Sequence, residues 1–311
     1  MIRSCEIYFC HQFQFMKVDP RDIPTSKLHG YLLGAIGPRP IAFASTMDED
    51  GNPNLSPFSF FNVFSANPPI LIFSPARRGR NNTTKHTYEN AKRVNEVVIN
   101  VVNHDMVQQL SLSSTEYPEG VNEFEKSGLT PLASEMVKPF RVKESPVQFE
   151  CKIQEIVELG QEGGAGNLII CEVVFIHINE EVLDSDGRID QTKIDLVGRM
   201  GGNYYVRAQG DALFEVAKPI KSLGIGVDQI PEQIRNSHIL SGNNLGQLGN
   251  IEEFPNETDV NEWKLTELAE MFVKFEEDSA QLGVELHKLA HEFLEKGEVV
   301  EAWKTLLAYN D

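Results

Sequence analysis

The sequence has few cysteines, a deficit of positive charge and no long apolar run, and each shortage excludes a class of function. The four cysteines form no Cys-x-x-Cys pair, so neither a zinc site nor a redox dithiol is indicated. There are 28 Lys and Arg residues against 46 Asp and Glu, a net charge of −18. This balance argues against general binding to nucleic acid or to a membrane surface.

The absence of a clean apolar run also bears on targeting. No stretch approaches the length of a membrane-spanning helix, and the first residues lack the features of a signal peptide. We therefore interpret residues 1–16 as a poorly ordered leader, with Met1 and Met16 both open as the true start. A reducing cytoplasm is the expected compartment, and Cys151 and Cys171 are expected to be small core residues.

Strand-like patterns dominate the first two thirds of the chain. Apolar or alternating runs predict β-strands at 40–46, 54–64, 69–73, 96–102, 147–157 and 167–178. Helices are expected near 84–94 and 104–113. Many strands joined by short turns favour a mainly β fold, either an antiparallel barrel or a sandwich.

The composition changes near Pro219, which separates a domain at 17–219 from an extension at 220–311. The extension has 7 Lys and Arg residues against 18 Asp and Glu. It begins with a Gly- and Asn-rich segment, 221–258. The preferred interpretation is an extension that only adds stability, and the alternative is that the loop 234–250 narrows access to a ligand pocket. Helical periodicity then predicts a helical hairpin, with a capping box at Asp259 and Glu262. Its apolar stripe comprises Leu265, Leu268, Phe272, Phe275, Leu282, Leu286, Leu289 and Phe293.

A cationic loop lies between a predicted strand end and a predicted helix start. Residues 74–87 contain Arg77, Arg78, Arg80 and Lys85 and no acid. Arginine forks and the N-terminal end of a helix both favour an anion such as phosphate. The alternative is a solvated loop in which the arginines cluster by chance.

The segment 54–62 reads Asn-Leu-Ser-Pro-Phe-Ser-Phe-Phe-Asn and lies upstream of that loop. Pro57 cannot donate a ladder hydrogen bond, so this segment does not fit a regular central strand. Aromatic walls beside free main-chain groups suit a flat heteroaromatic ligand. The alternative is a core strand with buried Phe residues.

Four motifs in close succession resemble the flavin reductase-like family of FMN-binding split barrels. They are Gly37–Thr46, Asn54–Asn62, Asn67–Pro69 and Lys85–Thr87, and a later stretch, Gly198–Tyr205, is also similar. The resemblance implies a Greek-key split β-barrel over about 17–219, with a C-terminal α-helical extension outside it. It also implies bound FMN, a homodimer, NAD(P)H as electron donor, and a flavin or a partner monooxygenase as acceptor.

The resemblance also implies site residues. Ser59, Phe60, Phe61 and Asn62 match the segment that lines the flavin ring, and Arg39 matches an arginine near it. The phosphate-binding positions correspond to Ser74, Arg78, Lys85 and Thr87, and Arg77 is an alternative to Arg78. Tyr204 or Tyr205 is expected to approach the flavin of either subunit. No protein side chain is needed as a catalyst, and no metal is expected.

One departure from the family pattern bears on the activity. Many of these reductases have Gly-x-His where this chain has Ala165-Gly-Asn167, and that His is associated with nicotinamide handling. The departure argues against fast NAD(P)H oxidation. The alternatives are therefore a reductase that uses FMN as a dissociable substrate, a non-catalytic FMN electron carrier or sensor, and a barrel that binds haem or pyridoxal phosphate.

Two histidines in the extension are a weaker candidate. His287 and His291 are four residues apart on a predicted helix, a spacing that can hold a metal ion. A solvated helix face is the preferred interpretation.

Overall fold

The structure, a computed structural model, describes residues 15–118, 120–216 and 223–309. The chain divides into two units, Met1–Phe214 and Glu215–Asp311. Almost all of the predicted leader lies outside the described residues, as does the predicted boundary at 219/220. Among the helices that the structure describes, none is both long and apolar enough to span a bilayer.

The first unit is built on strands, with four helices between or before them. The strands are β1 (Ala42–Met47), β2 (Pro53–Phe58), β3 (Phe61–Ala66), β4 (Pro69–Phe73), β5 (Glu96–Asn100), β6 (Pro131–Leu132), β7 (Arg141–Val142), β8 (Val147–Glu158), β9 (Asn167–Ile178), β10 (Val197–Arg199) and β11 (Tyr205–Arg207). The helices are α1 (Thr25–Ala35), α2 (His86–Val94), α3 (Val107–Ser113) and α4 (Glu123–Ser127). The helices expected near 84–94 and 104–113 are confirmed, as are the main strands.

Seven strands form one antiparallel sheet in the order β2-β1-β5-β8-β9-β4-β3. The two outermost strands, β2 and β3, are consecutive in the sequence and only Ser59 and Phe60 separate them. A strand advances about 3.3 Å per residue, so a two-residue link requires the two edges of the sheet to lie close together. The sheet therefore curls into a barrel that is split between β2 and β3, which confirms the predicted split-barrel fold.

Prediction and structure differ within 54–64. We expected a continuous run there, but the chain breaks at Ser59–Phe60 and its two halves lie on opposite edges of the sheet. Pro57 lies in β2 opposite Phe43 of β1. An edge strand tolerates proline because its outer N–H has no ladder partner to lose.

Both faces of the sheet are buried in its central part. On one face Ala42 and Ala44 join a cluster with Phe73 and Ile169, which also contains the buried Cys151 and Cys171. The other face places Ile41, Phe43 and Leu55 against Met106, Leu110 and Phe124 of the helical segments. Every residue of β1 is consequently buried. The two cysteines are core residues, as expected, and burial raises the pKa of each thiol well above its usual value.

Helices are the regular secondary structure of the second unit in its described residues. Its helices are α5 (Glu232–Arg235), α6 (Gly242–Leu248), α7 (Glu257–Thr266), α8 (Ala269–Lys274), α9 (Ser279–Glu295) and α10 (Val299–Leu307). The predicted loop at 234–250 is therefore wrong, because α6 occupies its centre. A capping box starts that helix, in which Ser241 and Asn244 each bind the other's backbone N–H.

The predicted helical hairpin is wrong, because the described residues of the extension form more than two helices. The residue that caps the start of α7 also differs from the prediction. α7 begins at Glu257, and Asn256 caps it by accepting the Asp259 N–H at 2.9 Å. The expected stripe is mostly correct, since Leu268, Leu282 and Leu286 are buried together. Leu265 is 77% exposed and does not belong to it.

A second cluster in this unit explains why 234–250 is ordered. The indole of Trp303 is fully buried with Ile234, Leu240 and Leu248, and its Nε1 donates to the Leu248 carbonyl at 3.1 Å. Apolar residues from the predicted loop therefore supply part of the core. The sequence of this Gly- and Asn-rich segment did not predict a core role, because so short a helix shows no regular apolar period.

Candidate active site

A cavity of about 280 Å³ lies where the barrel is split. Its lining comes from the end of β2, the link to β3, the segment after β4, helix α1, the residue before α2 and the residue after α3. The residues are His29, Leu33, Ser56, Pro57, Phe58, Ser59, Phe60, Ser74, Ala76, Lys85 and Ser114. Aromatic faces and hydroxyl groups thus surround one space of nearly the size typical of small-molecule sites. We call it the ring cavity.

The structure separates the four residues predicted to line a ring. Ser59 and Phe60 line the ring cavity. Phe61 is partly buried against the barrel core, and Asn62 is exposed, with its side chain accepting the Val63 N–H at 2.8 Å. The break in the strand after Phe58 produces this division, because alternate residues of β3 point to opposite faces.

The cationic loop is drawn together by an acid that sequence reasoning missed. Glu116 accepts hydrogen bonds from Lys85 and Arg78, each at 3.3 Å, and it also pairs with Arg80. The hydrogen bond from Lys85 lowers the pKa of the Glu116 carboxyl, so it is charged at neutral pH. Glu116 lies about thirty residues beyond the loop in the sequence, so no local pattern points to it.

Arg77 and Arg78 have different partners. Arg77 donates to the side chain and to the carbonyl of Asn82, both at 2.7 Å, which closes the loop on itself. Arg78 donates to Thr83 Oγ1 at 3.0 Å and to the Thr84 carbonyl. Arg78 lines the cavity described next, and Arg77 does not. The geometry therefore favours Arg78 over Arg77 as an anion ligand.

A second, water-sized cavity of about 30 Å³ adjoins the ring cavity. Its lining includes Arg78, Lys85 and Thr87, three of the predicted phosphate-binding residues. Lys85, Ser56 and Ser114 line both cavities, while the fourth predicted residue, Ser74, lines the ring cavity. Because α2 begins at His86, the positive end of its dipole lies at this second cavity.

Two buried polar groups shape the floor of the second cavity. Thr87 is almost fully buried, and its Oγ1 accepts a hydrogen bond from Asn54 at 2.9 Å. Glu123 is 6% exposed and accepts the Leu55 N–H at 3.1 Å. Burial raises the pKa of the Glu123 carboxyl. Sequence reasoning missed Glu123 as well.

Arg39 is buried beside the ring cavity, and its guanidinium binds backbone carbonyls. It donates to Leu33 at 2.8 Å, to Ile36, and to Met200 at 2.9 Å. Its Nε donates to Ser59 Oγ at 3.4 Å. Arg39 therefore ties α1 and the 200 region to the link between β2 and β3, and direct contact with a cofactor stays a prediction.

The remaining residues that the sequence predicted as candidates line neither of the two cavities. Tyr204 is exposed, and the Arg199 guanidinium lies 4.6 Å from the ring centre of Tyr205. Their approach to a flavin stays a prediction. His287 and His291 are partly buried, bonded to Ser237 at 2.7 Å and to Asn244 at 3.0 Å. The interpretation as a solvated helix face is therefore wrong for His287, whereas the His291 side chain is 40% exposed.

A group of metal-binding residue types occurs elsewhere in the first unit. His104, Asp105 and Asp195 have ligand atoms within 4.8 Å of one another. The Asp195 carboxylate is already held by Arg207, at 2.6 and 2.7 Å. We assign no ion to this group, since an arginine offsets the charge that would attract one.

Comparison with known proteins agrees with this geometry. The family model for the flavin reductase like domain matches residues 35–193. An uncharacterized protein of Aquifex aeolicus is 39% identical over 189 residues, which cover 61% of this chain and 94% of that protein. The second unit lies outside the family match.

Two solved structures are similar over the same share of the chain. One is nitrilotriacetate monooxygenase component B from Bacillus cereus, 29% identical with a TM-score of 0.61. The match covers 65% of this chain and 99% of that one. The other is a candidate flavin reductase with a split barrel domain from Shewanella frigidimarina, 28% identical with a TM-score of 0.55. It covers 66% of this chain and 100% of its own.

Proposed function

The chain belongs to the flavin reductase-like domain family, and from this premise we propose that it is an FMN-dependent oxidoreductase. Electrons pass from NAD(P)H through the flavin to a second flavin or to a protein acceptor, such as a monooxygenase component. The observation that carries the choice of FMN is the shared lining of the two cavities. Lys85 lines both, so an aromatic-walled space adjoins one where Arg78 and Lys85 face the acids Glu116 and Glu123.

The donor set fits a flavin mononucleotide. Phe60 supplies an apolar face, while Ser56 and Ser59 supply hydroxyl groups at the cavity wall. Arg78 and Lys85 supply charge-assisted donors that suit a phosphate. When bound, the flavin supplies the hydride chemistry. The residues of the chain bind the ring and hold the phosphate.

Binding selectivity tests this proposal. Replacing Lys85 with Ala should weaken FMN binding tenfold or more, because a charge-assisted hydrogen bond contributes about 1.5–3 kcal/mol. Riboflavin lacks the phosphate, so its affinity should fall much less, even though Lys85 also lines the ring cavity. Lys92 lies on α2, the helix that Lys85 precedes, pairs with Glu158 and lines neither cavity, so Lys92→Ala is the matched control.

Fluorescence titration of both ligands against the three proteins measures these affinities. The absorbance spectrum of the loaded protein distinguishes flavin from haem and pyridoxal phosphate. Equal affinity of the wild type for FMN and riboflavin would contradict the assignment of the cationic cavity to a phosphate.

One observation favours a second candidate, an FMN electron carrier or sensor without nicotinamide oxidation. Asn167, which stands where many relatives have His, is buried and donates to the Pro75 carbonyl at 2.8 Å. Its side-chain amide is therefore engaged by the backbone, and Asn167 does not line the ring cavity. Anaerobic NADH and NADPH should bleach the flavin of an oxidoreductase, whereas a carrier stays yellow.

We also propose that the chain forms a homodimer. Val63 and Phe64 on the edge strand β3 are each 63% exposed within the single chain. Exposed apolar side chains on an edge strand are typical of an interface. Light scattering at micromolar concentration with FMN present should give twice the chain mass, and a monomer mass would contradict the proposal.

A further inference from the structure

The ring cavity has two titratable residues in its lining, His29 and Lys85. Lys85 is bonded to Glu116 at the cationic end, where it also lines the second cavity. His29 lies on α1, with its ring edge-on to Phe60 at 6.3 Å between centroids. No hydrogen bond engages the His29 ring within the part of the chain that the structure describes. Its ring nitrogens are therefore free to bind a ligand in the cavity.

Helix α1 presents His29 and Leu33 to the cavity from positions four residues apart, which share one helix face. Against the described residues, none of its side chains is buried. Burial of a core stripe therefore does not explain why this helix lies where it does.

Backbone contacts and one arginine fix α1 instead. Arg39 binds the carbonyls of Leu33 and Ile36 at the C-terminal end, where orphan carbonyls need donors. Gly201 passes so close that an added Cβ would lie 3.1 Å from the Gly34 Cα. A helix held by its backbone in this way can hold a cavity-facing side chain in a defined position.

We propose that His29 donates a ring N–H to the flavin and binds its reduced form more tightly than its oxidised form. This inference rests on the proposed function and deepens it by naming a residue that sets the redox potential. Reduction increases negative charge at the polar edge of the ring. A fixed donor interacts more strongly with an acceptor that carries more charge.

The test compares His29→Phe, which keeps an aromatic ring and loses the ring N–H, with His29→Gln, which keeps an N–H. Lys27→Ala is the control on the same helix, because Lys27 lies outside the cavity lining, 5.8 Å over the ring of Tyr31. The readouts are the midpoint potential of the bound FMN and the dissociation constant of oxidised FMN.

His29→Phe should lose about tenfold in the affinity for reduced relative to oxidised flavin, a shift of about 30 mV to more negative potential for a two-electron couple. His29→Gln should shift less, and Lys27→Ala should keep the wild-type potential. A purely structural role would weaken both redox forms together and leave the potential unchanged.

The two failures are distinguishable. A wild-type protein that binds no FMN overturns the proposed function. A wild type that binds FMN, with the same potential in His29→Phe, overturns this inference alone. Because α1 buries no side chain against the described residues, both variants should fold, which circular dichroism checks.

Discussion

Replacing Glu116 with Gln should strengthen FMN binding. In the wild type one carboxylate is shared by Arg78, Arg80 and Lys85, and it offsets part of their positive charge. The lowered pKa keeps that carboxylate ionised at neutral pH. Glutamine keeps the shape and removes the charge. A phosphate at the second cavity would then face the cations without a competing anion.

The expected gain follows from the exposure of the side chain. Two unit charges about 4 Å apart interact by about 1 kcal/mol in water and about 4 kcal/mol at an effective dielectric constant of about 20. The Glu116 side chain is 38% exposed, so the value near the water limit applies. We expect a gain of about 1–1.5 kcal/mol, or about five- to tenfold in the dissociation constant.

Fluorescence titration of FMN and riboflavin against wild type and Glu116→Gln measures the effect. Glu125→Gln is the control. Glu125 lies on α4, accepts a hydrogen bond from Asn122 and lines neither cavity. Riboflavin affinity should not change, and added salt should shrink the gain by screening. If Glu116→Gln binds FMN no more tightly than wild type, Glu116 instead orients the cations and the reasoning is wrong.

Two further predictions concern stability. Burial raises the pKa of Glu123 above its ordinary 4.5, so its stabilising contribution is full below that pH and is lost as pH rises through the folded-state pKa. Glu123→Gln keeps an acceptor for the Leu55 N–H and carries no ionisable group. In urea unfolding, the stability of the variant relative to wild type should therefore be greater at about pH 8 than at about pH 5. Equal pH dependence of the two proteins would contradict this. Trp303→Ala removes a fully buried indole and its bond to Leu248, and should destabilise the second unit by about 3–5 kcal/mol. Circular dichroism on heating should show early loss of helix, and an unchanged helical transition would refute the role of Trp303 in that core.

Much of the first unit could be predicted because its signals are local. The strand at 167–178 and the helix near 84–94 have regular apolar spacing and turn residues at their ends, and both are present within two residues of the predicted bounds. The motif order also predicted the split barrel, which the strand order and the similar split-barrel structure confirm. The second unit was harder, since α6 is short and rich in Gly and Asn, and its place depends on contacts with the distant Trp303.

The composition and the order of motifs determined that the chain has a β-barrel followed by helices, with a cationic loop after a buried strand. These features depend on neighbours within a few residues, which a sequence displays directly. Only the tertiary structure decided which residues meet. Curling of the sheet brings β2 and β3 together at Ser59 and Phe60, α1 brings His29 to the cavity, and Glu116 joins the cations from far along the chain. Such contacts arise from chain closure and packing, and no local pattern of residues encodes them.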